Sequence, residues 1–191
     1  FAPVSKWAAV IDHPSQLQEI LRRAFMQLRS GRPGPVVIGI PHDVSGMDVG
    51  DFVYTPVSSQ GRIRPSGDPA SIDLAVDMIA SAERPYLYAG AGVLGIGGYL
   101  RGRYNTLQAS ETAAAADVII SIGCGFKYEA TRRRPGPGVK LIQIDIEPGE
   151  INRSQLADIA IQGDARLVLQ QLAASARARL PASRLAPIAE R

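Results

Sequence analysis

The chain has 191 residues, 46% hydrophobic and 20% charged, with a net charge of +3. That length buries a real core, and no apolar run approaches the roughly 20 residues that span a bilayer. Its single cysteine, Cys124, excludes an internal disulfide framework and a cysteine-based zinc cluster. The arginines fall in scattered groups, as at Arg22-Arg23 and Arg132-Arg133-Arg134, without the interleaved aromatics of a nucleic-acid surface. Phe1-Ala2-Pro3-Val4 lacks the basic and apolar regions of a signal peptide. A cytoplasmic protein with no membrane or nucleic-acid partner is the expectation. The chain opens without Met, which adds the expectation of a fragment.

Residues 1–12 read as extended. Pro14 suits the first turn of a helix. Leu17, Ile20, Leu21, Ala24, Phe25 and Leu28 then form one apolar stripe at helical spacing. Gly31 and Pro33 stop that helix. Val36-Val37-Ile38-Gly39-Ile40 is continuously apolar, as in a strand buried on both faces, and Pro41 ends it. Residues 45–68 lose all periodicity and gain Gly, Ser and Pro, the composition of a linker.

Asp68-Pro69 predicts an N-cap with proline at N1. Ile72, Ala75, Val76, Ile79 and Ala80 give the inner stripe of the helix that follows. Arg84–Gly92 reads as a strand ending in glycines: Tyr86, Leu87 and Tyr88 supply bulk, and Gly90 and Gly92 permit a sharp turn and close approach to a ligand. A short alanine-rich helix is predicted over 109–116. Strands are predicted at 118–123, 139–146 and 158–161, and Gly163-Asp164 opens a last helix with Leu167, Val168, Leu172 and Ala176 on its inner face. Residues 181–191, with Pro181 and Pro187, read as an exit linker. The order of elements predicts parallel α/β architecture, whose ligands bind at the carboxyl ends of the strands.

Several stretches together resemble the thiamine-diphosphate-dependent enzymes of the acetolactate synthase type. Gly34–Val44 is similar to the end of that family's pyrimidine-binding domain, and Phe1–Trp7 to the segment before its last helix. Arg84–Gly92 resembles the first strand of the family's central domain. Ala116–Gly123 with Phe126, Leu141–Arg153, and Asp158–Ala165 resemble its later strands and turns. The resemblance implies 1–44 as the tail of the pyrimidine domain, 45–68 as a linker, 69–180 as a Rossmann-like (DHS-like NAD/FAD-binding) central domain, and 181–191 as the exit linker. It implies a thiamine diphosphate and magnesium enzyme as the parent, a 2-oxo acid decarboxylase or carboligase assembled as a homo-oligomer with its remaining domains. The family's catalytic glutamate region and its Gly-Asp-Gly motif have no counterpart here, so the chain is expected to be inactive alone.

In such relatives the central domain binds FAD, ADP or nothing. The resemblance carries Gly90, Gly92, Gly123 and Phe126 over to phosphate or ribityl contacts. Asp145, Ile146 and Glu150 go to the adenine and ribose, and Gly163 and Asp164 to the far side. An empty structural domain remains open beside this reading, because glycines after strands are often plain turns and Asp164 suits a helix cap. A second difference is one of length. Forty-odd residues of the relatives, a βα unit, have no room after Val93, so either the unit is lost or a segment is closed up there. A stand-alone nucleotide-binding module without catalysis is the alternative function. Gly95-Ile96-Gly97-Gly98 lacks a P-loop ending, Asp145, Glu147 and Glu150 lack an EF-hand spacing, and His13 and His42 have no triad partners. Cys124 reads as a small packed residue.

Overall fold

Two units make up the chain, Phe1–Arg64 and Pro65–Arg191. The computed structural model describes residues 1–53, 63–90, 107–126 and 138–181 of it.

In the first unit, β1 (Trp7–Val10) leads through a 3-10 turn into α1 (Leu17–Arg29), then to β2 (Val36–Gly39) and the short α2 (His42–Ser45). β1 and β2 pair in parallel, Trp7 opposite Val36 and Val10 opposite Gly39. The turn before α1 is set by a capping box: His13 Nδ1 accepts from Ser15 N, and Gln16 Oε1 accepts from His13 N and also from Asp12 N. The helix ends where Lys6 Nζ donates to the carbonyls of Gln27 and Ser30, a cation at the negative pole. Gly31 then takes a φ of 53°, the left-handed region that favours glycine. Ile11, Ile20 and Val44 form the small core, with Trp7, Leu17 and Ile38 against it. The Arg23 guanidinium lies 5.8 Å from the Trp7 ring centre, so this tryptophan packs and takes a cation–π contact. The run at Val36–Ile40 departs from its sequence reading. All four residues of β2 are half-buried, and Ile40 is 53% exposed. Among the described residues β2 pairs with β1 alone, and the small core that packs against its Ile38 comes from Ile11, Ile20 and Val44, which is too little to bury both faces.

The second unit begins with α3 (Pro69–Ser81), whose N-cap Asp68 accepts from Ser71 N at 2.9 Å. Then come β3 (Pro85–Ala89), α4 (Leu107–Ala115), β4 (Val118–Ile122), β5 (Lys140–Asp145), β6 (Ile159–Gln162) and α5 (Ala165–Arg179). The four strands form one parallel sheet in the order β3-β4-β5-β6. Alternation of side chains divides its two faces. Val118, Ile120, Ile122, Ile142, Ile144 and Ile161 point to α3 and α5, where Ile72, Ala75, Val76, Val168 and Leu172 complete the main core. Ile119 and Leu141 point the other way, to Ala116 and Phe126. Pro65–Gly67, the end of the stretch read as linker, belongs to this unit: Pro65 O accepts from Asp164 N, and Gly67 exchanges two hydrogen bonds with the Gln171 side chain. On the outer surface Arg179 forks across both Asp77 oxygens at 2.7 and 2.8 Å, tying α5 to α3.

At the amino edge of the sheet one device occurs twice. Asp117, just before β4, accepts from the Glu83 and Arg84 amides just before β3. Asp158, just before β6, accepts from Leu141 N of β5 and from Lys140 Nζ, both at 2.8 Å. The Lys140 hydrogen bond, helped by the Leu141 amide and opposed by burial, holds the Asp158 carboxyl below its ordinary 3.8. At Asp117 burial pushes upward, and the backbone amides together overcome it, so its pKa is also lowered.

A carboxyl whose folded pKa is depressed stabilises the fold above its unfolded pKa and loses that contribution as pH falls through the folded value. Asp158→Asn is therefore expected to lower the urea midpoint at pH 7 and to cost clearly less well below pH 3.8, the ordinary value. An equal cost at both pH values contradicts the assignment.

Candidate functional site

Each strand of the sheet leads at its carboxyl end into a turn, and these turns carry the residues singled out in the sequence. Gly90 follows β3. Gly123, Cys124, Gly125 and Phe126 follow β4. Asp145 ends β5 and is followed by Ile146 and a 3-10 turn at Pro148–Glu150. Gly163 and Asp164 follow β6. Gly92 lies outside the described residues, as do Val93 and the proposed break beside it.

Gly90 and Gly123 meet directly. A Cβ on Gly90 would overlap the Gly123 carbonyl oxygen and stand 2.7 Å from its carbonyl carbon. Gly123 itself has a φ of 59°, left-handed and therefore suited to glycine. Gly163 is enclosed differently: a Cβ there would be 2.7 Å from Val168 Cγ2 and 3.1 Å from Gly67 N. Phe126 takes a φ of 45°, is buried, and stacks on Tyr88 with ring centres 5.6 Å apart.

A phosphate held by backbone amides needs those N–H groups to be unpaired. Gly90 N donates to Ile122 O at 2.8 Å, Gly123 N to Ile144 O at 2.8 Å, and Gly163 N to Asp145 O at 2.9 Å. Asp164 N donates to Pro65 O at 2.8 Å. The Asp164 carboxylate caps α5, accepting from Arg166 N and Leu167 N. These groups extend the sheet and start a helix. They do not fit a phosphate cradle.

The carboxylates of this edge are also turned inward. Asp145 Oδ1 accepts from Glu147 N at 2.9 Å, closing the turn after β5. Ile146 beside it is half-buried. Glu150 Oε1 takes Arg153 Nη1 at 2.9 Å, with only 12% of the glutamate side chain exposed. Gly125 makes room for that carboxylate, since a Cβ there would overlap Glu150 Oε2. Among the described residues no group of three or more His, Cys, Asp or Glu could hold a metal ion. They offer no oxygen cage for magnesium and a diphosphate, so thiamine diphosphate does not fit them either.

The residue that organises this edge is Gln143, which the sequence reading passed over. It lies on the second face of β5, 1% exposed, in a row with Tyr88, Ser121 and Ala160. Its Nε2 donates to Glu150 O at 3.0 Å, and its Oε1 accepts from Asn152 N at 2.9 Å. One amide thus anchors the helix-free part of the crossover from β5 to β6. Asn152, with a φ of 59°, finishes the loop by accepting from Ala157 N. Ser121 is fully buried beside Gln143, and its hydroxyl has no hydrogen-bond partner among the described residues.

Comparison with known proteins places this geometry in context. Residues 96–172 match the family described as thiamine pyrophosphate enzyme, central domain. The chain is 32% identical over 212 residues to a probable acetolactate synthase large subunit of Methanococcus aeolicus, covering 90% of this chain and 35% of that protein. It is 28% identical over 226 residues to a glyoxylate carboligase of Escherichia coli O157:H7, covering 96% and 37%. Benzoylformate decarboxylase from Polynucleobacter necessarius superposes with a TM-score of 0.68 at 16% identity, over 89% of this chain and 38% of that one, a likeness of fold. The chain spans about a third of the length of the curated relatives it matches. An alignment 212 positions long that includes 90% of a 191-residue chain, about 172 residues, leaves about forty positions with no residue of this chain opposite them.

The contact at Gly90 can be tested by substitution. Gly90→Ala meets backbone atoms well inside contact distance, whereas Gly163→Ala meets a Val168 methyl at 2.7 Å and backbone atoms no closer than 3.1 Å. In urea titrations Gly163→Ala is expected to cost about 1–3 kcal/mol and Gly90→Ala at least the upper end of that range. The reverse order contradicts the packing described.

Proposed function

Because the chain carries the central domain of the acetolactate synthase-like thiamine pyrophosphate enzymes, we propose that it serves as the scaffold of a 2-oxo acid decarboxylase or carboligase and performs no catalysis alone. The relatives acetolactate synthase and glyoxylate carboligase support that substrate class. In this proposal thiamine diphosphate and magnesium are held by further domains of a parent enzyme, and the parent works as a homo-oligomer. When bound there, thiamine diphosphate stores the carbanion of a decarboxylated 2-oxo acid.

The observation that carries the scaffold reading is the use of the strand-end amides. Gly90, Gly123 and Gly163 donate to neighbouring strands, and Asp164 caps a helix. A dinucleotide or ADP would have to displace those bonds. The role left to this edge is to present a rigid sheet and an anchored crossover to the rest of the enzyme. No described helix is long and apolar enough to cross a membrane. A cytoplasmic location belongs to the proposal, in keeping with the single thiol.

Two measurements test it. The purified chain, given thiamine diphosphate, magnesium and pyruvate, is expected to form no acetolactate. Its absorbance spectrum is expected to lack the flavin band at about 450 nm, before and after incubation with FAD and gel filtration. Turnover of pyruvate defeats the scaffold reading. A retained flavin band with no turnover favours the stand-alone binding module instead.

A further inference from the structure

We propose that Pro65–Gly67 is a strap, held shut by the Gln171 side chain, that opens as one piece while the sheet beneath it stays intact. Shut, it fixes the hinge of the chain at Arg64–Pro65, where the first unit ends and the second begins. Open, it moves that hinge to Asp68. This does not depend on the role proposed above.

Three hydrogen bonds hold the strap. Asp164 N donates to Pro65 O at 2.8 Å. Gly67 N donates to Gln171 Oε1 at 2.8 Å, and Gln171 Nε2 donates back to Gly67 O at 3.0 Å. A glutamine amide carries one acceptor oxygen and an NH2 donor, so this one side chain satisfies both backbone groups of Gly67. Gln171 itself stands half-buried on α5. The ladder inside the sheet is separate from these bonds, since Gly123 N donates to Ile144 O and Gly163 N to Asp145 O.

The strap fits closely and buries little of its own. A Cβ on Gly67 would lie 2.8 Å from Ile161 Cγ2, 3.2 Å from Ile72 Cδ1 and 3.3 Å from Val168 Cγ2, so bare backbone rests on the main core. From the other side, a Cβ on Gly163 would stand 3.1 Å from Gly67 N and 3.3 Å from Pro65 O. Gly67 is buried but has no side chain, and Pro65 and Ser66 are exposed. Attachment therefore rests on the three bonds. A segment held by few bonds and little buried apolar surface opens at a lower free energy than packed strands do. Asp68, the next residue, caps α3 through its own bonds from Ser71 N and Ser71 Oγ. That helix start uses none of the strap's bonds and survives its opening.

Hydrogen exchange of the 191-residue chain tests the proposal at two amides, Gly67 and Asp164. In the wild type both are expected to share one protection factor, at least about tenfold below those of Gly123 and Gly163. Gln171→Met keeps an unbranched side chain and removes both of its hydrogen-bonding groups. It is expected to lower protection at Gly67 and Asp164 together, by at least about tenfold. Asp164 N bonds to Pro65 and not to Gln171, so its loss of protection reads movement of the whole strap. Gly123 and Gly163 should keep theirs. Gly67→Ala, which presses the strap off Ile161, is expected to give the same pattern. A wild type in which Gly67 and Asp164 are as protected as Gly123 overturns the proposal, and that comparison needs no variant. So does a Gln171→Met variant that frees Gly67 but not Asp164, or one that loses protection at all four amides alike.

Discussion

The second unit depends on the meeting of Gly90 and Gly123. Two strand ends come so close there that a methyl group on Gly90 would overlap the next strand's carbonyl. The approach lets the hydrogen-bond ladder run past the last strand residue, with Gly90 bonded to Ile122 and Gly123 to Ile144. Gly163 does the same against Asp145, from the other side of β5. The same residue type can serve a ligand or a neighbouring strand, since both need a bare backbone. An amide proton already donated to a carbonyl at 2.8 Å has no second strong bond to give a phosphate. At these positions the sheet has the amides.

The rest of the unit is arranged to keep that edge in place. At the amino end, Asp117 and Asp158 reach back to amides at or just before the starts of the neighbouring strands, which fixes where each pair begins. On the first face, isoleucines and valines of three strands are covered by α3 and α5. On the second, Gln143 reaches out of the sheet to tie the crossover at Glu150 and Asn152. A buried amide with both ends bonded has little freedom to rearrange, because breaking either bond leaves a polar group unsatisfied out of water. The crossover is therefore held by named bonds although it contains no α-helix.

Much of this was legible in the residues. Helical spacing at Ile72, Ala75 and Val76 pointed to the core, and these three are buried in α3. Asp68-Pro69 and Gly163-Asp164 read correctly as helix starts. The resemblance to thiamine-dependent enzymes matched the family found by comparison. What escaped was the partner of each polar group. Gln143 and Asp145 share one parity along β5, and Ser121 stands opposite Gln143 in β4, a hint of a second, polar face that was there to be read. An aspartate immediately before a strand, twice, likewise hinted at the clamps. The glycine turns were read two ways for a different reason: sequence shows that a backbone can approach something closely and does not show what it approaches. At Val36–Ile40, apolar character alone could not say how many neighbours would cover the strand.

The central claim is that the strand-end amides belong to the sheet. The direct measurement is an amide ¹H–¹⁵N spectrum of the chain during titration with ADP, followed at Gly90, Gly123 and Gly163. The account predicts that these three resonances stay in place and exchange with solvent only as slowly as neighbouring amides of β4 and β5. Saturable movement of the three together, with loss of their protection, would contradict it.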